Sequence, residues 1–217
     1  MKKMFGAVLA AVVAMQAVSA AGRFAVGAKG LFQLNVGTVL SDFADGVYYS
    51  EKVLPGGGGG IFARANVFKG LGIQLEALFT GNNGVKGKYE SSGGNAVETV
   101  SYVALDIPLL AVYDFNVGPV VLTPFLGPNF SIPLGDAKSK SKASGKSVDS
   151  DMPIAIRCIP GIAFGLAAGF PVGPGAVVAE MRYLHDFTPL SIGENGVHVD
   201  IATRGALSIS AGWQFMF

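Results

Sequence analysis

Histidine, cysteine and paired carboxylates build most catalytic and metal sites, and this chain is poor in them. It has two histidines, His185 and His198, and one cysteine, Cys158. Asp186 and Asp200 lie close to the two histidines in sequence. Imidazoles with a carboxylate could hold a metal, but no HExxH, CxxC or GxSxG spacing occurs. No metal, no other cofactor and no enzyme activity are therefore expected. Cys158 lacks an internal disulfide partner and reads as inert packing or lipid-facing surface. The run Gly56–Gly60 lacks the following helix and Lys-Ser/Thr of a phosphate loop, so it reads as a flexible loop end leading into a strand.

The other charged residues carry more information. Lys29, Arg64, Glu76, Asp106, Arg157, Glu180, Arg182 and Arg204 each fall opposite an apolar stripe in an alternating stretch. Unpaired charges in a low-dielectric interior are costly, so five bases and three acids there imply a paired network. Such a network would fill and close a narrow lumen. The competing reading is a small polar pore or ligand pocket with a slight anion preference.

Strands must position these charges, because alternation with a period of two sends successive side chains to opposite faces. The clearest case is the last stretch, Arg204–Phe217. Leu207, Ile209, Trp213, Phe215 and Phe217 share one face, and Arg204, Ser208, Ser210 and Gln214 the other. Similar patterns run over 24–34, 56–68, 71–80, 99–115, 120–133, 152–169 and 176–187. Pro124, Pro128 and Pro133 predict bulges or bends in the fifth of these. Eight strands result. The connections at 69–70, 116–119 and 170–175 are short. Those at 35–56, 81–98, 134–151 and 188–199 are long, and the third is a solvated, low-complexity Lys/Ser segment.

Composition agrees with a β-rich chain of limited aqueous surface. Of 217 residues, 50% are hydrophobic, only 14% are charged, and 31 are glycine; an ordinary domain carries about 25% charged residues. Residues 1–21 read as a secretory signal: Lys2 and Lys3, the apolar run Phe5–Val18, then Val18-Ser19-Ala20 before cleavage. Its removal takes the formal charge of +1 to −1, so no basic field points to nucleic acid. The remainder, 22–217, has no uninterrupted transmembrane-helix candidate. Long loops confined to one end fit an up-and-down barrel with short periplasmic turns and longer external loops. The expected fold is therefore all-β, an eight-stranded antiparallel transmembrane β-barrel. Phe68, Tyr113, Phe115, Trp213, Phe215 and Phe217 would form its interfacial girdle.

Three stretches resemble a known family. Tyr102-Val103-Ala104-Leu105-Asp106-Ile107-Pro108-Leu109-Leu110, Thr123-Pro124-Phe125-Leu126-Gly127-Pro128-Asn129-Phe130 and Val178-Ala179-Glu180-Met181-Arg182-Tyr183 are similar, in order and spacing, to strands of the PorT-type outer-membrane β-barrel proteins. This chain has Ala104 where that family usually has Glu, with the acid at Asp106 instead. The pattern Ser210-x-Gly212-x-x-Phe215-x-Phe217 resembles the terminal signal read by the outer-membrane assembly machinery. The resemblance implies a bacterial outer-membrane location. Its expected partners are outer-membrane lipids, the assembly machinery and extracellular ligands at the four long loops. A monomer is expected. The expected role is structural or in surface interaction, with a small pore or transport accessory as the alternative. An enzyme would resemble outer-membrane lipid hydrolases or acyl-modifying barrels, and would need His185 within reach of a serine and an acid.

Overall fold

The computed structural model describes residues 24–39, 48–91, 94–143, 146–194 and 197–217. Eight long strands form a ring: β1 (Phe24–Val39), β3 (Leu54–Phe68), β4 (Leu71–Ser91), β5 (Gly94–Tyr113), β7 (Val120–Ala143), β9 (Ile159–Val172), β10 (Gly175–Asp186) and β12 (Val197–Met216). Each pairs antiparallel with the next, and β1 pairs with β12 from Ala25↔Met216 to Val39↔Ala202, so the sheet closes on itself. Closure leaves these strands without a free edge at mid-height, the condition for a sheet to cross lipid. Four short strands continue the wall: β2 (Tyr48–Lys52) on β4, β6 (Phe115–Val117) and β8 (Lys146–Met152) on β7, and β11 (Leu190–Glu194) on β12.

Polarity is inside out. Every ring strand exposes large apolar side chains outward, among them Phe32, Ile61, Phe79, Leu109, Leu126, Phe164, Met181 and Ile209. A continuous apolar belt of this kind is incompatible with a water-facing surface and suits hydrocarbon. The residues between them, such as Gln33, Gln74 and Thr123, point inward and are buried. No helix among the described residues is long and apolar enough to cross a membrane.

At one end, the turn end, Lys69 and Gly70 both have positive φ (36° and 91°), the backbone of the tightest two-residue hairpins. The turns at 118–119 and 173–174 share this end. There the seam is fastened by two backbone bonds: Phe217 N donates to Phe24 O (2.8 Å) and Phe24 N to Phe217 O (3.3 Å). Aromatic rings cluster beside it, with Tyr113 4.6 Å from Phe115 and Trp213 6.0 Å from Phe215.

At the opposite, loop end, the strands run further than the sequence pattern indicates. The stretch 81–98 is mostly the continuing β4–β5 hairpin, 134–151 carries β7 into β8, 188–199 contains β11 and the start of β12, and 48–52 is β2. In these extensions the outward face is largely polar and the inward face mixes small and polar residues with a few apolar ones such as Val85 and Ala137, so the hydropathy contrast fades while backbone pairing continues. The glycine run is also strand, within β3: a Cβ on Gly60 would lie 2.0 Å from the carbonyl oxygen of Ala77, a close approach that requires glycine. Pairing of β7 with β9 crosses Pro124 and Pro128 without a shift; the irregularity comes later, between Leu134 and Lys138, where Gly135 has φ 74°. Residues 1–21 and the centre of the first loop lie outside the described residues.

Candidate functional site

The ring order makes the lumen the place where distant residues meet. β4 and β10 stand across the ring from one another, and so do β5 and β12. Each opposed pair carries opposite charges at inward positions.

The tier nearer the turn end joins Lys29 (β1), Glu76 (β4), Glu180 and Arg182 (β10). Lys29 Nζ lies 2.9 Å from Glu76 Oε1 and 2.8 Å from Glu180 Oε2. Arg182 Nη2 lies 2.8 Å from both Glu76 Oε1 and Glu180 Oε1. Gln74 Nε2 also donates to Glu76 Oε1 (2.6 Å). The Arg182 guanidinium rests 5.0 Å from the Phe125 ring centre, an arrangement that adds cation–π attraction. Both carboxylates and both cations are nearly fully buried.

The second tier centres on Arg204 (β12). Its Nε lies 2.9 Å from Asp186 Oδ2 and its Nη2 3.1 Å from Asp106 Oδ1. Nη1 donates to Asn83 Oδ1 (2.6 Å) and Nη2 to Ser131 Oγ (3.2 Å). Thr80 Oγ1 donates to Asp106 (2.8 Å), and Gln33 Nε2 to Asn83 (2.6 Å). Buried charges persist when partners satisfy them in this way.

Above this tier the lumen is apolar. Val85, Val100, Tyr102, Ala104, Ala137, Ile159, Leu190 and Ala202 form a buried cluster, with Ile154, Ile156 and Ile192 packed against it. The segment between β8 and β9 lies against β11 at the barrel mouth: Ala155 N donates to Ser191 O (2.9 Å) and Gly193 N to Pro153 O (3.0 Å). Below the first tier the lumen opens instead into a cavity of about 650 Å³ at the turn end, walled by Phe62, Phe125, Val112 and Val178 and floored by Lys29, Gln74 and Glu180. Arg64 lines it, 2.6 Å from Asp114, which also accepts from Thr123 Oγ1 (2.6 Å).

Lys29, Glu76, Glu180 and Arg182 thus meet in one tier, Asp106 and Arg204 in the other, and Arg64 at the cavity wall. Arg157 joins none of them. It is exposed in the non-strand segment before β9, so the two-residue parity that placed it inside does not extend to it. The sequence pattern missed Asp114 and Asp186 as ion-pair partners, although both carry the inward parity of their strands. It missed Asn83, and the buried Asn35 that accepts from Gln33 Nε2 (3.3 Å) and donates to Leu54 O (3.1 Å), because both fall beyond the ends it gave their strands. With Asp114 and Asp186 included, the buried pairs comprise four cations and five carboxylates, so they supply no surplus positive charge for anion selection.

Ser210 is half-buried with its Oγ unpartnered, and Gly212 stands opposite Lys29. Phe215 and Phe217 are exposed at the turn end. His185 is exposed on β10, its ring centre 6.1 Å from that of Phe187. The side chain of His198 lies outside the described residues. Cys158 is exposed. Among the described residues no three His, Cys, Asp or Glu side chains are grouped to hold a metal.

A family model described as "outer membrane protein beta-barrel domain" matches residues 5–215. The fold is similar to that of the outer membrane protein OprG from Pseudomonas aeruginosa, at 12% identity over 91% of this chain and 96% of that one, with a TM-score of 0.52. A major outer membrane protein from Thermus thermophilus is similar at 15% identity over 88% and 99%, with a TM-score of 0.48. Neisserial surface protein A is similar at 16% identity over 89% and 97%, with a TM-score of 0.45. No curated protein matches the chain.

Proposed function

Because this chain belongs to the outer membrane protein β-barrel domain family, we propose that it serves the bacterial outer membrane as a small barrel with a closed lumen, acting through its loop end. One observation carries this reading: Arg182–Glu76 and Arg204–Asp106 are ion pairs between strands on opposite sides of the ring, so charged side chains bar the full diameter at two heights. A lumen barred in this way offers no continuous aqueous path, which leaves the outward and loop-end surfaces to make functional contacts.

The short-turn end, with its aromatic girdle, faces the periplasm in this reading, and the extended hairpins face outward. Residues 1–21 act as the cleaved export signal. Ser210, Gly212, Phe215 and Phe217 address the chain to the assembly machinery; the exposure of both phenylalanines at the end of β12 supports that role. The finer assignment to PorT-type barrels rests on the three stretches at 102–110, 123–130 and 178–183. The barrel works as a monomer, surrounded by lipid, with no part in nucleic-acid binding.

The alternative, a small pore or accessory of outer-membrane transport, draws support from the turn-end cavity of about 650 Å³. Planar-bilayer recording separates the two readings. The closed barrel gives no reproducible channel steps at any voltage the bilayer tolerates. Steady single-channel conductance from the purified, folded protein would overturn the closed-lumen reading in favour of the pore.

A further inference from the structure

The Lys/Ser stretch of β7 is a regular strand with two different faces. Ala137 and Ser139 are buried on the inner face, and Lys138, Lys140 and Lys142 are exposed on the outer one. The neighbouring strands add to that outer face. Residues directly opposite in an antiparallel pair share a face. The register sets Lys52 opposite Lys86, Lys86 opposite Thr99, and Thr99 opposite Lys140. One step further along, Lys88 stands opposite Val97 and Val97 opposite Lys142. Lys52, Lys86 and Lys140 therefore share one lateral row, Lys88 and Lys142 the next, and Lys138 lies just below them.

Among the described side chains, the acids at this level are Asp149 and Asp151 on β8, opposite Lys140 and Lys138, Asp136 in the β7 irregularity, and Glu98, which carries the inward parity of β5 and accepts from Ser139 Oγ (3.4 Å). The Lys140–Asp149 pair is loose, at 3.5 Å, with both side chains more than half exposed. On the outward face the described lysines outnumber the described acids. On the far side of the ring, β10 and β12 present His185 and Val199 near the loop end, with Phe187 just after β10 and no described lysine or arginine on that outward face.

Height identifies the partner. The apolar belt on β7 runs outward through Leu126, Phe130 and Leu134, and on β4 through Leu71, Ile73 and Phe79. Lys138 follows Leu134 after four residues, but the irregularity between them advances the pairing on β5 only from Val103 to Ser101, about 7 Å along the strand and about 5 Å along the membrane normal at barrel tilt. That is the depth of the headgroup layer beside the hydrocarbon core. The lysines point sideways from the wall at this depth, toward lipid headgroups. We propose that Lys52, Lys86, Lys138, Lys140 and Lys142 form a binding surface for phosphate-bearing lipid headgroups in the leaflet at the loop end. The proposal rests on the outward placement of that end, which makes the lipid the phosphorylated glycolipid of the outer leaflet.

The test uses the folded full chain in neutral detergent, titrated with diphosphoryl lipid A, with the same lipid after enzymatic dephosphorylation, and with inorganic phosphate. A lysine near an anionic surface strengthens binding about fivefold. The expected result is binding of diphosphoryl lipid A at least about tenfold tighter than of the dephosphorylated form, weakening with salt. The variant Lys138→Gln/Lys140→Gln/Lys142→Gln should lose at least about tenfold, and Lys69→Gln, at the turn end, should lose nothing. Retained heat-modifiable migration confirms that each variant is folded. Equal affinity for both lipid forms, an unchanged triple variant, or inorganic phosphate binding as tightly as the lipid would each overturn the proposal. Protease added to intact cells checks orientation separately: cleavage at the 138–151 hairpin without lipid binding defeats the lysine surface alone. Phosphate-dependent lipid binding without such cleavage supports the surface and defeats the outward placement.

Discussion

Glu76 is the residue on which the first tier turns. Its Oε1 receives Lys29, Gln74 and Arg182 together, in a site closed to water. Removing one member of a buried ion pair strands the partner charge, at a cost of about 3–5 kcal/mol. Glu76→Ala should therefore lower the unfolding free energy by about that amount, measured by urea titration of the refolded barrel. Lys140→Ala removes an exposed pair and should cost less than about 1 kcal/mol. Equal effects would mean that the lumen tier is as solvated as the surface. At this scale the sequence revealed the cations and carboxylates through their parity, because an inward position on a narrow barrel has only one destination. It could not reveal which charges meet. Lys29 and Glu180 are 151 residues apart in the chain, and their contact depends on ring order.

The strand is the scale at which reading by polarity works and also where it stops. Alternation located the eight ring strands within the belt, where lipid outside and charge inside impose contrast on successive residues. Beyond the belt the outward face turns polar while Val85, Ala137 and Leu190 turn inward, and the same backbone geometry leaves only a weak hydropathy trace. Lys138-Ser139-Lys140-Ser141-Lys142 shows that a strict period of two can persist in size and charge after it has faded in hydropathy. Gly56–Gly60, where the sequence pattern starts its second strand, shows no alternation for another reason: the strand needs the absence of side chains where β3 and β4 approach closely. Gly60→Val would drive a branched side chain against the Ala77 carbonyl. Overpacking of this kind typically costs about 1–3 kcal/mol. The variant should show a lower urea midpoint and a smaller heat-modifiable fraction on gels; an unchanged midpoint would show that β3 and β4 can separate to admit it.

For the whole molecule, closure is the organising fact. The wall has lipid-compatible residues all round, the interior is crossed by ion pairs at two heights, and the loop end is sealed by apolar packing while the turn end stays hollow. Barrel class and strand direction were legible because they depend on repeated local patterns. The hollow at one end was not, because Phe62, Val112, Phe125 and Val178 line it in a register that pairing alone sets. The seam also gives the chain a freedom of connection. Phe24 and Phe217 are hydrogen-bonded neighbours, so the ring has no structural beginning, and only the genetic reading frame gives it one. A circular permutant joined there by a short linker and opened between residues 144 and 145 keeps every ring pairing. It should refold in detergent with an unfolding free energy within about 1 kcal/mol of the parent, since adjacent termini make such rewiring tolerable. In cells its fate should differ, because Phe217 would no longer be last: it should accumulate unassembled in the periplasm. Normal delivery to the outer membrane would show that the machinery reads the strand wherever it occurs. The permutant thus separates the information that shapes the barrel from the information that delivers it.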